Sequence, residues 1–379
     1  MDGALQAAIQ DFDKEQLKET TTVVQHAPVV APSNNNNDFA SVVGAPDEEE
    51  VKEYHMQEEE FLERVAAFVA LLQQSKHFVV YTGAGVSTAA KIPDYRGPKG
   101  VWTLKAKGER PKMEITLEQA MPTYTHMALV ELAKQGLLKH VVSTNVDGLH
   151  RRSGLGKDLL SELHGNIYRE VCSNSKCGAD FIRPFNVTKS AFRRQTGRLC
   201  PLCNAKLVDS IVNFGEMLPE AELQSAQEHS QKADLTLVLG SSMRVSPACE
   251  LPSMSYKQGN PFCICNLQKT PFDHKTERNG GLRFFVECDT FMRAVMERLG
   301  LEVPEWKQSE ADLEAELMDT IVPDPDFDTS SVLSKYNVYS MADDGPPPPQ
   351  VLRAIQHGFQ LRHVEVAERQ AEGLGRVVE

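Results

Sequence analysis

Six short apolar runs, each closing on a small or polar residue, constrain this chain most. They are His77–Thr82, His140–Thr144, Asp209–Asn213, Leu235–Gly240, Phe262–Asn266 and Phe284–Glu287. Strands that are nearly continuously apolar suit a parallel sheet covered on both faces. Helical segments separate several of them, so the chain reads as α/β, with a doubly wound, Rossmann-like parallel sheet. Such sheets bind ligands beyond the carboxyl ends of their strands. One covering helix is explicit. From near Glu58, the residues Phe61, Val65, Phe68, Val69 and Leu72 fall on one face at helical spacing.

Outside this region the composition changes. Residues 1–57 read as a disordered acidic arm, with Asn34 to Asn37, Glu48 to Glu50 and few aromatics. Residues 303–379 read as an acidic, mostly disordered tail containing the stiff run Pro346 to Pro349, with a short amphipathic helix admissible within Val351 to Val378. The catalytic domain is expected over 58–302. Charge follows the same division: residues 1–60 carry −11, residues 61–301 carry +8, and residues 302–379 carry −10. A basic core between acidic arms can meet an acidic partner such as chromatin. Acidic arms that only keep the chain solvated give the same numbers. Neither a signal peptide nor an apolar run long enough for a bilayer is read, which predicts a soluble, intracellular protein with no membrane partner.

Eight cysteines in 379 residues are too few for a disulfide scaffold. Cys172 and Cys177 form one close pair, and Cys200 and Cys203 another, 22 residues on. Four thiolates in two pairs suit tetrahedral Zn²⁺. A closed four-sulfur shell leaves no open position, so the metal would be structural. It would tie down a lobe of about 166–207 that has little core of its own. A redox dithiol at Cys200 and Cys203 is the competing reading, and the second pair nearby argues against it. Cys263 and Cys265 share one face of a strand and read as core.

The first strand runs into Gly83-Ala84-Gly85-Val86-Ser87. Glycines there let backbone approach a phosphate, and a following helix would offer free N–H groups. The third glycine of a dinucleotide fingerprint is missing, so the loop alone also reads as an ordinary tight turn. The sequence after it carries Ile92-Pro93-Asp94-Tyr95-Arg96-Gly97, then Trp102. Further on come Thr144-Asn145-Val146-Asp147-Gly148-Leu149-His150, Glu162-Leu163-His164-Gly165-Asn166, Phe214-Gly215-Glu216, Gly240-Ser241-Ser242 and Asn266-Leu267-Gln268. This ordered set, spanning about residues 60–300, resembles the sirtuin family of NAD-dependent protein deacylases, and most closely its chromatin-associated class IV group.

The resemblance implies NAD⁺ as cosubstrate and an acylated protein as substrate, a histone or other chromatin protein being the expected target. A weak nucleic-acid or nucleosome contact and nuclear residence are implied by the subfamily alone. His164 would be the general base that deprotonates a ribose hydroxyl, a task suited to imidazole near neutral pH. Asn145 and Asp147 would stand near the nicotinamide and its ribose. Ile92 and Asp94 would recognise the carboxamide, while Tyr95 and Arg96 ride on a loop that closes over the cofactor. Ala84 and Thr88 would approach the phosphates beside the backbone of Gly83 and Gly85, and Ser87 belongs to the same cofactor set. The adenosine half would meet Gly240, Ser242, Asn266, Gln268 and the backbone of Cys288, with Ser241 in the same cofactor set. Trp102 and Thr144 complete the cofactor set. Val212-Asn213-Phe214-Gly215 would pair with the substrate backbone as an added strand, with Phe214 beside the acyl-lysine tunnel. His150 reads instead as packing.

Three departures from the family pattern bear on rate and acyl preference. Thr144 stands where most sirtuins have Gln and is too short to copy it. Asn213 replaces a frequent His. The first cysteine pair has two more intervening residues than the commonest spacing. Besides deacylation, the same residues admit mono-ADP-ribosyl transfer to a protein, or a non-catalytic scaffold that binds NAD⁺ or ADP-ribose. A dehydrogenase on this type of sheet is disfavoured, because His164 and the cysteine lobe have no evident role in one.

Overall fold

The computed structural model describes residues 46–109, 111, 115–191, 194–307 and 322–324. The greater part of both expected arms, including the polyproline run and the segment 351–378, lies outside them.

The apolar runs build a six-stranded, all-parallel sheet. Its strands are β1 (Phe78–Thr82), β2 (Leu138–Ser143), β3 (Leu160–Glu162), β8 (Leu235–Leu239), β9 (Phe262–Cys265) and β10 (Arg283–Phe284), in the order β10-β9-β8-β1-β2-β3. Every residue of β1, β8 and β9 is buried, as a sheet covered on both faces requires. The order reverses between β1 and β8, so the chain leaves a crevice at the carboxyl ends of those two strands. One face is covered by α2 (Glu58–Gln74), which buries the five residues read from its periodicity. Also on that side are α4 (Tyr124–Lys134) and α8 (Cys288–Leu299). On the other side Ala226 of α6 (Glu220–Lys232) packs with Val79, Val142 and Ile264. No helix among the described residues is long and apolar enough to cross a membrane.

Two sequence expectations fail here. The run Asp209–Asn213 is not a strand of this sheet. Its first residue ends β7 (Lys206–Asp209) in a second, antiparallel sheet, and the rest is loop. The true edge strand is β3, which hydrophobicity alone conceals because Ser161 and Glu162 are polar yet buried. Nor does a helix follow the glycine loop. Two single 3₁₀ turns, Ala84–Val86 and Thr88–Ala90, stand there, stopped by Lys91 in a left-handed conformation. So short a turn carries little dipole.

The second sheet also contains β4 (Arg169–Cys172), β5 (Asp180–Ile182), β6 (Gln195–Leu199) and, from beyond the main domain, β11 (Val322–Pro323), in the order β11-β6-β7-β4-β5. Its interior is unusually polar. Glu170, fully buried, accepts from Arg198 Nε at 2.8 Å and Thr196 Oγ1 at 2.7 Å, and pairs with Arg183. The apolar cluster beside the cysteines adds only Leu207 to Cys172 and Cys200 as buried members.

Part of the region read as a solvated arm is docked. Asp47 caps the short helix α1 (Glu48–Val51), and Tyr54 N–H donates to Leu267 O at 2.9 Å. At the other end, Trp306 Nε1 donates to Arg152 O at 2.8 Å.

Candidate active site

The crevice between β1 and β8 is narrow because glycines line it. A Cβ on Gly83 would lie 2.7 Å from Gly240 O, and one on Gly85 would lie 2.6 Å from Gly240 Cα. Gly85 N–H donates to Gly240 O at 2.8 Å. Gly240 itself turns at φ +58, where a side chain is disfavoured. These glycines therefore serve the meeting of two backbones, besides any approach to a ligand. The sequence held this signal, in two glycine-bearing strand ends, but did not say they would touch.

Around this point the polar motif residues converge. Asn145 Nδ2 donates to Gly83 O at 3.0 Å, and its backbone N–H to Ser143 Oγ at 3.1 Å. Ser87, fully buried, donates to Asp147 Oδ2 at 2.6 Å, while Asp147 Oδ1 caps Leu149 N–H at 2.9 Å. Thr144 N–H donates to Thr82 O at 3.1 Å, and its hydroxyl contacts the same oxygen at 3.2 Å. The Thr144 hydroxyl is thus turned onto β1.

His164 follows β3 and is half-buried. Its Nδ1 lies 3.1 Å from Thr144 O. A carbonyl only accepts, so Nδ1 carries the proton and Nε2 keeps its lone pair. Burial lowers its pKa below the ordinary imidazole value of 6.5, and the Thr144 carbonyl works against that shift. The ring is tied through one residue to the end of β1. Behind it, Gly165 at φ +80 passes so close to β7's continuation that a Cβ would sit 2.0 Å from Ser210 O. Val212 N–H donates to His164 O at 3.0 Å, bringing the expected substrate strand beside the expected base. His150 is buried, with Nε2 2.8 Å from Thr82 Oγ1 and its ring 4.6 Å from that of His126. It packs, as its place in the motif implied.

A loop from Ile92 to Gly100 walls one side. Asp94 Oδ1 accepts from Gly97 N–H at 3.0 Å, and its carbonyl accepts from Val101 N–H at 2.9 Å. Burial pushes the Asp94 carboxyl up, against the Gly97 hydrogen bond. Trp102, on α3 (Val101–Ala106), stacks on Tyr95 at 5.9 Å and meets Phe214 edge-on at 6.2 Å. Residues assigned separately to cofactor and substrate thus form one aromatic wall. Phe214 is 41% exposed and Met217, beside it, 93%. On the far side, Asn266 Nδ2 donates to Gln268 O at 2.9 Å, and Cys288 is buried at the start of α8. Ser241 Oγ accepts from Met243 N–H at 3.3 Å, Ser242 and Ile92 are half-buried, and Thr88 is exposed, its hydroxyl donating to Gly85 O at 3.0 Å.

Two acidic residues, Glu50 and Glu53, enter this site from the segment read as a solvated arm. Glu50 contacts Arg96 Nη1 at 3.7 Å and Arg244 Nη1 at 2.6 Å, and Glu53 accepts from Gln268 Nε2 at 3.2 Å. An acidic run gives no spacing by which its partners could be read.

The four cysteines of the lobe place their Sγ atoms within 4.8 Å of one another, with Cys172 to Cys203 at 3.4 Å and Cys177 to Cys200 at 3.8 Å. A zinc tetrathiolate with bonds of about 2.3 Å has S···S edges of roughly 3.8 Å. The residues fit structural Zn²⁺, and no other such cluster occurs among the described residues. Cys263 and Cys265 are buried in β9, as core.

A parallel sheet ordered about a β1/β8 switch point, a histidine at its mouth and a four-cysteine lobe inserted after β3 define a nucleotide-binding α/β class with a structural metal lobe. Residues 108–247 match the model of the Sir2 family. The chain is 38% identical over 293 residues to the NAD-dependent protein deacetylase Sirt6 of Drosophila melanogaster, covering 74% of this chain and 90% of that protein. It is 46% identical to the NAD-dependent protein deacetylase SRT1 of Arabidopsis thaliana over 64% of this chain, but spans only 50% of that protein's length. Human NAD-dependent protein deacetylase sirtuin-7 is 43% identical over 66% of this chain and 63% of its own. A Sir2 structure with a deacetylated p53 peptide and 3′-O-acetyl ADP-ribose superposes with a TM-score of 0.50 at 33% identity, covering 63% of this chain and 99% of that one. The chain belongs to the Sir2 family.

Proposed function

We propose that this protein is an NAD⁺-dependent protein-lysine deacylase. Acyl-lysine protein, NAD⁺ and water would give free lysine, nicotinamide and O-acyl-ADP-ribose. The observation that carries the reading is His164, with Nδ1–H held by the Thr144 carbonyl and Nε2 left as a base at the mouth of the crevice. NAD⁺ supplies an anomeric carbon that becomes electrophilic as nicotinamide leaves. The protein's part is to position and to exclude water. Asn145 and Asp147, fixed by Gly83 O and Ser87, hold the ribose and nicotinamide end. Tyr95, Trp102 and Phe214 wall the acyl chain. Val212–Gly215 offers backbone to the substrate, which gives affinity without demanding one sequence. The relatives named as Sirt6 and sirtuin-7 and the net +8 of residues 61–301 support histone or other chromatin protein as target, and residence in the nucleus.

Mass analysis of products from NAD⁺ and a panel of acylated histone-type peptides tests this. Nicotinamide together with O-acyl-ADP-ribose is the expected result. ADP-ribosylated protein with no freed acyl-ADP-ribose, or nucleotide binding with no nicotinamide, would overturn it.

A further inference from the structure

Arg96 and Arg244 approach one another from the two loops that flank the switch point, the first beyond β1 and the second beyond β8. Their side chains are only 11% and 24% exposed. Like charges so placed need an anion between them. Glu50 is that anion, one carboxylate oxygen on each guanidinium. It does not act alone. Glu49 reaches Lys269 Nζ at 3.3 Å, Glu53 takes Gln268 Nε2, and the Tyr54 N–H to Leu267 O bond sets the segment in register along the Asn266–Lys269 loop. An acidic strap thus runs along one rim of the crevice, over groups the cofactor is expected to use.

Charge count decides what this arrangement is for. One carboxylate brings a single charge to two guanidiniums. A diphosphate brings two, with oxygens spaced for two planar forks. We propose that Arg244 acts with Arg96 as a clamp on the diphosphate of the dinucleotide, with Glu50 as the clamp's tethered counter-ion, displaced when the diphosphate binds. The inference rests on the NAD⁺ reading above and adds Arg244 and Glu50 to it. Glu50 keeps the two arginines converged, so the clamp is preformed. It also competes with the ligand, so it sets how much nucleotide is needed to fill the site. Only the single turn Glu48–Val51 has to move, because Glu53 to Met56 are held by their own backbone bonds.

Calorimetric titration of the full chain with ADP-ribose tests the clamp, with adenosine as the probe that lacks the diphosphate. Glu50→Gln should tighten ADP-ribose roughly three- to tenfold, the range for a partly screened charge contact, and leave adenosine unmoved. Arg244→Ala should weaken ADP-ribose and erase the gain from Glu50→Gln. Arg244→Lys should restore part of the affinity, and Glu50→Asp should behave as the parent. Raising salt should weaken ADP-ribose binding to the parent but not adenosine binding. An unchanged or weaker ADP-ribose affinity in Glu50→Gln, or an equal shift for adenosine, overturns the proposal. If the expected shifts occur in a protein that releases no nicotinamide, the clamp stands and the deacylase reading falls. If no variant binds ADP-ribose at all, the clamp falls with the cofactor assignment.

Discussion

His164 works only with Nε2 unprotonated. Burial holds its pKa below 6.5, so the base form is in place at neutral pH. The rate of acyl-ADP-ribose formation should therefore stay level through neutrality and decline only as pH falls through that lowered value. An acid limb centred at or above 6.5 would contradict the assignment. His164→Tyr should reduce turnover by about 10²- to 10⁴-fold, the usual contribution of a general base, with an unchanged thermal melt. Gly165 is a separate matter of shape. A methyl group there meets Ser210 O in a left-handed backbone, so Gly165→Ala should cost on the order of 2–4 kcal/mol in denaturant unfolding. A variant within 0.5 kcal/mol of the parent would show that the loop can yield. At this scale the gathering of the motif residues at the strand ends was legible, because their types and order mark those ends. The direction of the Thr144 hydroxyl and the carboxylate on Arg96 were not, since both depend on residues far away in the chain.

Elements were legible where one physical pattern dominates. α2 declares itself by spacing, and β1, β8 and β9 by unbroken apolar character. β3 escaped because its buried polar groups find partners that no local pattern reveals: Ser161 Oγ meets His140 Nε2 at 2.8 Å. The run 209–213 misled for the reverse reason. It is apolar enough for the main sheet, but belongs partly to the lobe and partly to the His164 loop. The lobe was readable from four cysteines alone, and its dependence on them can be measured. Full-chain protein should hold one zinc per molecule by mass spectrometry of metals. Chelation, or Cys200→Ser with Cys203→Ser, should strip hydrogen-exchange protection from β4 to β7 while β1, β8 and β9 keep theirs. Retained protection in the lobe without metal would show that the Glu170 network holds it unaided.

For the molecule as a whole, buried histidines make acid costly. Desolvation brings His126 and His140 from 6.5 to about 3, and lowers His150 as well. The unfolded chain binds protons at these positions near pH 6.5, where the folded one refuses them. Stability is therefore complete above 6.5 and declines as pH falls from 6.5 toward about 3. Melting temperature at constant ionic strength should fall across that window. A flat profile would mean that these rings gain protons without unfolding. The charge split was legible as arithmetic but not as geometry, for the acidic segment before α2 proved to lie on the protein's own arginines. The C-terminal region holds a comparable case. β11 lies along β6, with Asp324 N–H donating to Gly197 O at 3.0 Å and Asp324 paired with Lys206 at 3.4 Å. A polypeptide ending shortly after Trp306 would leave the outer edge of β6 without its β11 partner and open to strand pairing. Such a truncated product should self-associate through that edge, seen as a rising sedimentation coefficient with concentration, while the longer chain stays dispersed.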